Sequence, residues 1–129
     1  MKSSIDPPKE DMDIDTLEYL KELRAKIVEL LTGVFMFLTD QNQTNVFSPY
    51  IDGFIKYLSK IVEPEFKSDI SLISDICGVL ADLYTHFRGS VQLYFSRNSL
   101  DIIFKRLEDS TVPQHIEILN YGKQILSDF

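Results

Sequence analysis

Apolar residues recur along this chain at three- and four-residue steps, the spacing that gathers them on one side of an α-helix, and strand-like alternation is hard to find. The first helix is expected to begin after Asp15, because Asp15 and Glu18 fit a capping box in which each carboxylate satisfies an exposed backbone amide. Its apolar face runs from Leu17 and Leu20 through Ile27, Leu30, Leu31 and Val34 to Phe37 and Leu38, and fades in the polar stretch from Thr39 to Asn45. Ser48-Pro49 reads as the start of a second helix, a cap residue followed by a proline whose missing amide costs nothing at the first helical position. Glu63-Pro64 closes it, since the residue before a proline is pushed out of helical angles.

A third helix is predicted from about Ser68 to Phe87, with apolar residues spread so widely that more than one of its sides must be covered. Arg88-Gly89 is the expected stop. The stretch from Ser90 to Leu107 keeps the helical period but breaks around Ser96 to Ser99, where Asn98 is the expected cap of the second segment. The last helix is expected at Thr111, with Gln114 completing a capping box.

Helices of this length, joined by short connections, fold most simply as antiparallel hairpins stacked side by side. The expected fold is all-α, a HEAT/armadillo-type α-α superhelix fragment. Its parts are an acidic, loosely ordered lead-in over residues 1–14, a hairpin over 15–62, a second hairpin with a kinked second helix over 68–109, and a terminal capping helix over 111–129. Hairpin starts near Asp15 and Ser68 are roughly 50 residues apart, close to the period of about 40 to 47 of such units. Two and a half units fall short of the about three that a stable stack needs, so something further is expected to cap the first hairpin.

Composition narrows the functional classes. With 44% hydrophobic and 26% charged residues the chain falls in the globular range. The first residues lack the apolar stretch of a signal peptide, and no apolar run reaches the about eighteen residues of a membrane span, so a soluble intracellular protein is expected. Thirteen basic against twenty acidic residues, a formal charge of -7, disfavour nucleic acid and anionic membranes and favour a basic protein partner. Arg97, Lys105 and Arg106 are basic, but acids surround them. Acidic surfaces also simply keep proteins soluble.

Catalytic parts are missing from the pattern. Cys77 and His86 are nine residues apart on one predicted helix, too far along its axis to act as nucleophile and base. His115 has no second histidine or cysteine at metal-ligand spacing and is expected at the surface. No glycine-rich phosphate loop or HExxH pattern occurs, so neither an enzyme nor a cofactor or metal protein is expected.

TLEYLKELR from Thr16 to Arg24, TGV from Thr32 to Val34, and CGVLADLYTHFRGSV from Cys77 to Val91 follow one another in an order and at distances that resemble the C-terminal HEAT repeats of importin-β, the karyopherin-β family of nuclear import receptors. The resemblance runs from about Asp11 to Phe129. It departs from the family where Tyr121, followed by a helix-weakening Gly122, stands at a common tryptophan position, and where Ser99 replaces a proline.

The resemblance implies a binding scaffold that wraps the basic importin-β-binding helix of importin-α, or a similar basic adaptor. It implies residence in cytoplasm and nucleus, including the nuclear pore and envelope. Contacts with Ran and nucleoporins would belong to other parts of a full-length receptor. A basic helix needs acids for its cations and aromatic faces for its guanidinium planes. Tyr121 is then the first candidate, with Asp101, Glu108, Asp52 and its neighbour Lys56 on the inner helices. A solvated helix face accounts equally for the three acids, and a core position for Tyr121. Asp82 is given a structural role tying neighbouring units. The lead-in acids Glu10, Asp11, Asp13 and Asp15 either attract a basic ligand or stabilise a helix start. A HEAT or armadillo scaffold outside nuclear transport, and a structural or oligomerisation fragment, are the alternatives.

Overall fold

The computed structural model describes residues 14–66 and 68–127. Most of the lead-in, with Glu10, Asp11 and Asp13, lies outside the described residues, as do the last two positions of the capping helix. The architecture of the described residues is all-α: α1 (Ile14–Asp40), α2 (Thr44–Ile61), a 3-10 turn at Pro64–Phe66, α3 (Ile70–Tyr94), α4 (Arg97–Glu108) and α5 (Pro113–Ile125). Each helix packs on the next, and α3 touches all four others. Because α1 and α5 also reach α3 directly, α1, α3 and α5 form one layer and α2 and α4 the other. Lys21 meets Asp69 near the starts of α1 and α3, while Arg106 near the end of α4 meets Ser68, so α1 and α3 run in one direction and α4 against them. The starts of α1 and α3 are further apart than in an ordinary HEAT unit because these helices run to 27 and 25 residues.

The core is continuous across both layers. Ile55, Leu58, Ile61, Ile73, Ile76, Leu83, Leu100, Ile103 and Leu107 have no measurable exposure. Burying apolar surface of this kind, at about 25 cal/mol per Å², is the main favourable term holding such a fold together. The segment Ile70–Arg88 is long and apolar enough to cross a membrane by length and composition, contrary to the expectation from sequence; more than half of it is buried here, as befits the central helix of a stack.

The broad apolar face expected on α1 divides in two. Leu20, Val28, Phe35 and Leu38 are buried, and with them Arg24, whereas Leu30, Val34 and Phe37 remain 67%, 42% and 62% exposed. Arg24 is fully buried because it has work there: its Nη1 donates to the Phe66 carbonyl at 3.0 Å and its guanidinium lies 5.1 Å over the Phe66 ring. Burial lowers its pKa, partly opposed by Tyr57. Arg106 donates to the Ser68 carbonyl at 2.9 Å and Ser68 Oγ to the Ile61 carbonyl at 2.6 Å, so arginines from both layers fix the α2–α3 connection.

The starts of α2, α4 and α5 differ from expectation, while the break after Phe87 falls where the sequence puts it. α2 begins at Thr44, which puts Pro49 inside it, without its backbone donor. The compensation is packing: Phe47, in the added turn, is buried 5.5 Å from the Phe35 ring and 5.9 Å from the Phe54 ring. The break expected around Arg88-Gly89 appears as a kink at Phe87 (φ −133°, ψ 40°), after which helix resumes to Tyr94 and carries Val91 into the core before Phe95 follows. α4 is capped by Ser96, whose extended backbone lets Oγ accept from the Ser99 amide at 3.1 Å, and Asn98 already lies in its first turn. α5 starts at Pro113, not Thr111, with Val112 as cap residue and no side-chain cap bond. Ser110 Oγ accepts from the Val112 amide at 3.1 Å and lies 2.7 Å from His115 Nδ1, which explains why His115 is buried and not at the surface.

The approach of α5 to α3 depends on Gly122. A Cβ there would sit 2.5 Å from Cys77 Sγ and 3.4 Å from Phe104 Cε1. Glycine, a weak helix former, is present because the facing side chains leave no room for a methyl group.

Candidate partner-binding surface

α1 and α3 diverge enough to leave a groove of about 480 Å³, closed at one side by Ile118 of α5. Its floor is apolar, with Ala25, Val28, Val79 and Met36; its rim carries Glu29, Asp75 and Asp82, and among the described residues no lysine or arginine lines it. Helical spacing produces this. Asp75, Gly78, Val79 and Asp82 recur at three- and four-residue steps on α3, while Ala25, Glu29, Thr32 and Met36 do so on α1.

The three carboxylates differ in their engagements. Glu29 pairs with the exposed Lys26 at 3.4 Å, and Asp82 accepts a hydrogen bond from the Tyr121 hydroxyl at 2.8 Å. Asp75 makes no hydrogen bond or ion pair among the described residues. Burial raises its pKa above the ordinary carboxylate value; His115 lowers it, and the neighbouring Glu29 raises it further.

Tyr121 is 37% exposed on α5. The hydrogen bond to Asp82, then burial and the Asp82 charge, push its phenol up to about 12, so it stays a donor at physiological pH. Through this bond Asp82 joins α3 to α5, the tie between units read for it from the sequence.

The remaining sequence candidates do not gather with Tyr121. Asp101 and Glu108 share a shallow depression of about 440 Å³ on α4 with Arg97, Phe104, Lys105 and Lys123. Both are already paired, Asp101 with Arg97 at 3.3 Å and Glu108 with Lys123 at 2.9 Å. Asp52 lies on α2, 3.1 Å from Lys56, whose ammonium is also 5.1 Å from the centre of the Tyr94 ring. Sequence reasoning missed Glu29 and Asp75 because an acid on a helix surface carries no mark of what stands opposite. The signal available was their position on the flank of each apolar stripe.

Cys77 is fully buried, with its thiol pushed up to about 12 by burial, and points at the Ile118 carbonyl 3.7 Å away; His86 instead packs its ring 5.5 Å from that of Phe35. Among the described residues no three His, Cys, Asp or Glu side chains come together as metal ligands.

A two-layer stack of helical hairpins with an amphipathic groove defines a helical-repeat scaffold. Residues 2–108 match the family of importin subunit beta-1-like proteins, TPR repeats, and the chain belongs to that family. α5, with Tyr121, lies beyond the matched residues. No curated protein and no solved structure matches the chain.

Proposed function

We propose that this chain is part of a nuclear import receptor and engages a basic helix of the kind that importin-α presents, working in cytoplasm and nucleus, including the nuclear envelope. Contacts with Ran and nucleoporins fall in this reading to other parts of a full-length receptor. The observation that carries it is the α1/α3 groove, where three carboxylates border an apolar floor and, among the described residues, no lysine or arginine lines it. An amphipathic basic helix fits both features, placing aliphatic stems on Val79 and Met36 and cationic heads at Asp75 and Glu29.

The test is fluorescence anisotropy of a labelled basic helical peptide in low and moderate salt. Affinity is expected to fall as salt rises, since rim charges are screened. Asp75→Lys is expected to weaken binding about tenfold, a reversal of one close charge contact, while Glu108→Gln on α4 leaves it within about twofold. No binding at high micromolar peptide, or equal loss from both variants, rules this groove out.

A further inference from the structure

Gly78 and Gly122 both lie in packed helices, and for opposite reasons. At Gly122 a Cβ would overlap Cys77 Sγ, so packing inside the chain excludes a larger residue. At Gly78 a Cβ would meet only Ile118 Cδ1, at 3.7 Å, an ordinary van der Waals distance. Alanine therefore fits at Gly78, and it would strengthen α3, because glycine weakens a helix interior. Gly33 and Gly53 have room for a Cβ as well, but both are exposed and neither lines the α1/α3 groove. Gly78 is half-buried and lines that groove between its two α3 acids. Asp75, Gly78, Val79 and Asp82 share one face of α3, and seven residues place Asp75 and Asp82 about 10 Å apart along the axis. Asp82 accepts from Tyr121 through Oδ1 alone, and its second oxygen makes no hydrogen bond or ion pair among the described residues.

We infer that the groove reads a spacing: its partner helix carries cations at positions i and i+7, matched to Asp75 and Asp82, with a bulky aliphatic residue midway that seats on Gly78. The inference rests on the proposed function and specifies the partner within it. A helix laid along α3 advances by the same about 1.5 Å per residue, so its i and i+7 side chains reach both carboxylates. Its i+3 and i+4 side chains share their face and meet the gap that the glycine leaves. A leucine there fills the space down to Val79 and Ile118, and a methyl group at position 78 would occupy it first. The glycine weakens α3 and nothing inside the chain requires it; close approach of a partner does.

Fluorescence anisotropy of the full chain with two labelled helical peptides tests this. One carries arginines at i and i+7 and leucines at i+3 and i+4; the other has the same composition with its arginines at i and i+5, about 140° apart around the helix. The first is expected to bind about tenfold more tightly. Gly78→Ala is expected to raise the melting temperature by about 3 °C and to weaken the first peptide at least about fivefold, as overpacking by one methyl does. Gly53→Ala on α2 is expected to raise the melting temperature similarly and to leave the affinity within about twofold. Replacing both peptide leucines by alanine is expected to cancel the effect of Gly78→Ala on binding. Equal affinity for the two peptides overturns the inference while a basic partner stands, and so does a Gly78→Ala chain that binds like the native one or melts lower. Binding of neither peptide at high micromolar concentration overturns the inference and the proposed function together.

Discussion

Gly122→Ala sets two physical effects against each other with opposite signs. Helix propensity alone favours alanine by about 1 kcal/mol in a helix interior. Packing opposes it. The new Cβ would lie 2.5 Å from Cys77 Sγ, against the about 3.5 to 4.0 Å at which such atoms attract, and 3.4 Å from Phe104 Cε1. Cys77 has a side chain of one bond, fully buried and directed at the Ile118 carbonyl, so the strain passes to the helix pair. Moving α5 outward by about 1 Å relieves the overlap but forfeits close contact for Leu119 and Leu126, which are 4% and 1% exposed. Overpacking of this kind costs about 1 to 3 kcal/mol, and the backbone gain reduces it, so a net loss of about 1 to 2 kcal/mol is expected. Urea unfolding followed by circular dichroism measures it. The double variant Gly122→Ala with Cys77→Ala isolates the cause: the added methyl enters the space the sulfur leaves, and the pair is expected to couple by at least about 1 kcal/mol. A neutral or stabilising Gly122→Ala, or a strictly additive double variant, refutes the steric account.

Arg24→Ala is expected to destabilise by about 3 kcal/mol in the same assay, because it opens a cavity and leaves the buried Phe66 carbonyl without its donor. Ser96→Ala is expected to cost about 1 kcal/mol and Asn98→Ala only a few tenths; the reverse order would place the α4 cap where the sequence alone suggested. Asp75→Asn is expected to raise the melting temperature at pH 7 and not at pH 3. With a folded pKa raised by burial, the carboxylate penalises folding once ionised, and the penalty disappears as pH falls below its unfolded value near 3.8. Tyr121→Phe is expected to cost about 1 kcal/mol through the lost bond to Asp82.

The all-α class and the order of helices could be read directly, because a three- and four-residue period sustained over 27 and 25 residues admits little else. Boundaries were less legible where tertiary packing overrode local signals. Phe47 draws helix into the residues before Ser48-Pro49, although that pair is good punctuation, whereas the break read next to Arg88-Gly89 is there as the kink at Phe87. Arg24 escaped notice because periodicity counts apolar residues, whereas this position is buried by a carbonyl acceptor and an aromatic ring supplied from residue 66. His115 was misplaced for the same reason, its partner being Ser110 Oγ. The structural role of Asp82 came from the resemblance to HEAT repeats, and its donor, the Tyr121 hydroxyl, lies on another helix where periodicity does not show it.

Charge alone does not decide where a cationic partner binds; what already holds each acid does. At Asp101 and Glu108 a partner's arginine would compete with Arg97 at 3.3 Å and Lys123 at 2.9 Å, with Lys105 lining the same depression, so much of the new attraction replaces an old one. Asp75 has no pair to give up among the described residues, and its repulsion from Glu29 is relieved when a cation arrives. Two charges 4 Å apart near a protein surface attract by about 4 kcal/mol before desolvation and entropy are subtracted. A modest share of that, unopposed at one aspartate, outweighs an exchange between two exposed ion pairs worth about 0 to 1 kcal/mol each. In the proposed reading, the groove between α1 and α3 carries the stronger driving force for a cationic partner, although the acids first assigned from the sequence lie on α2 and α4.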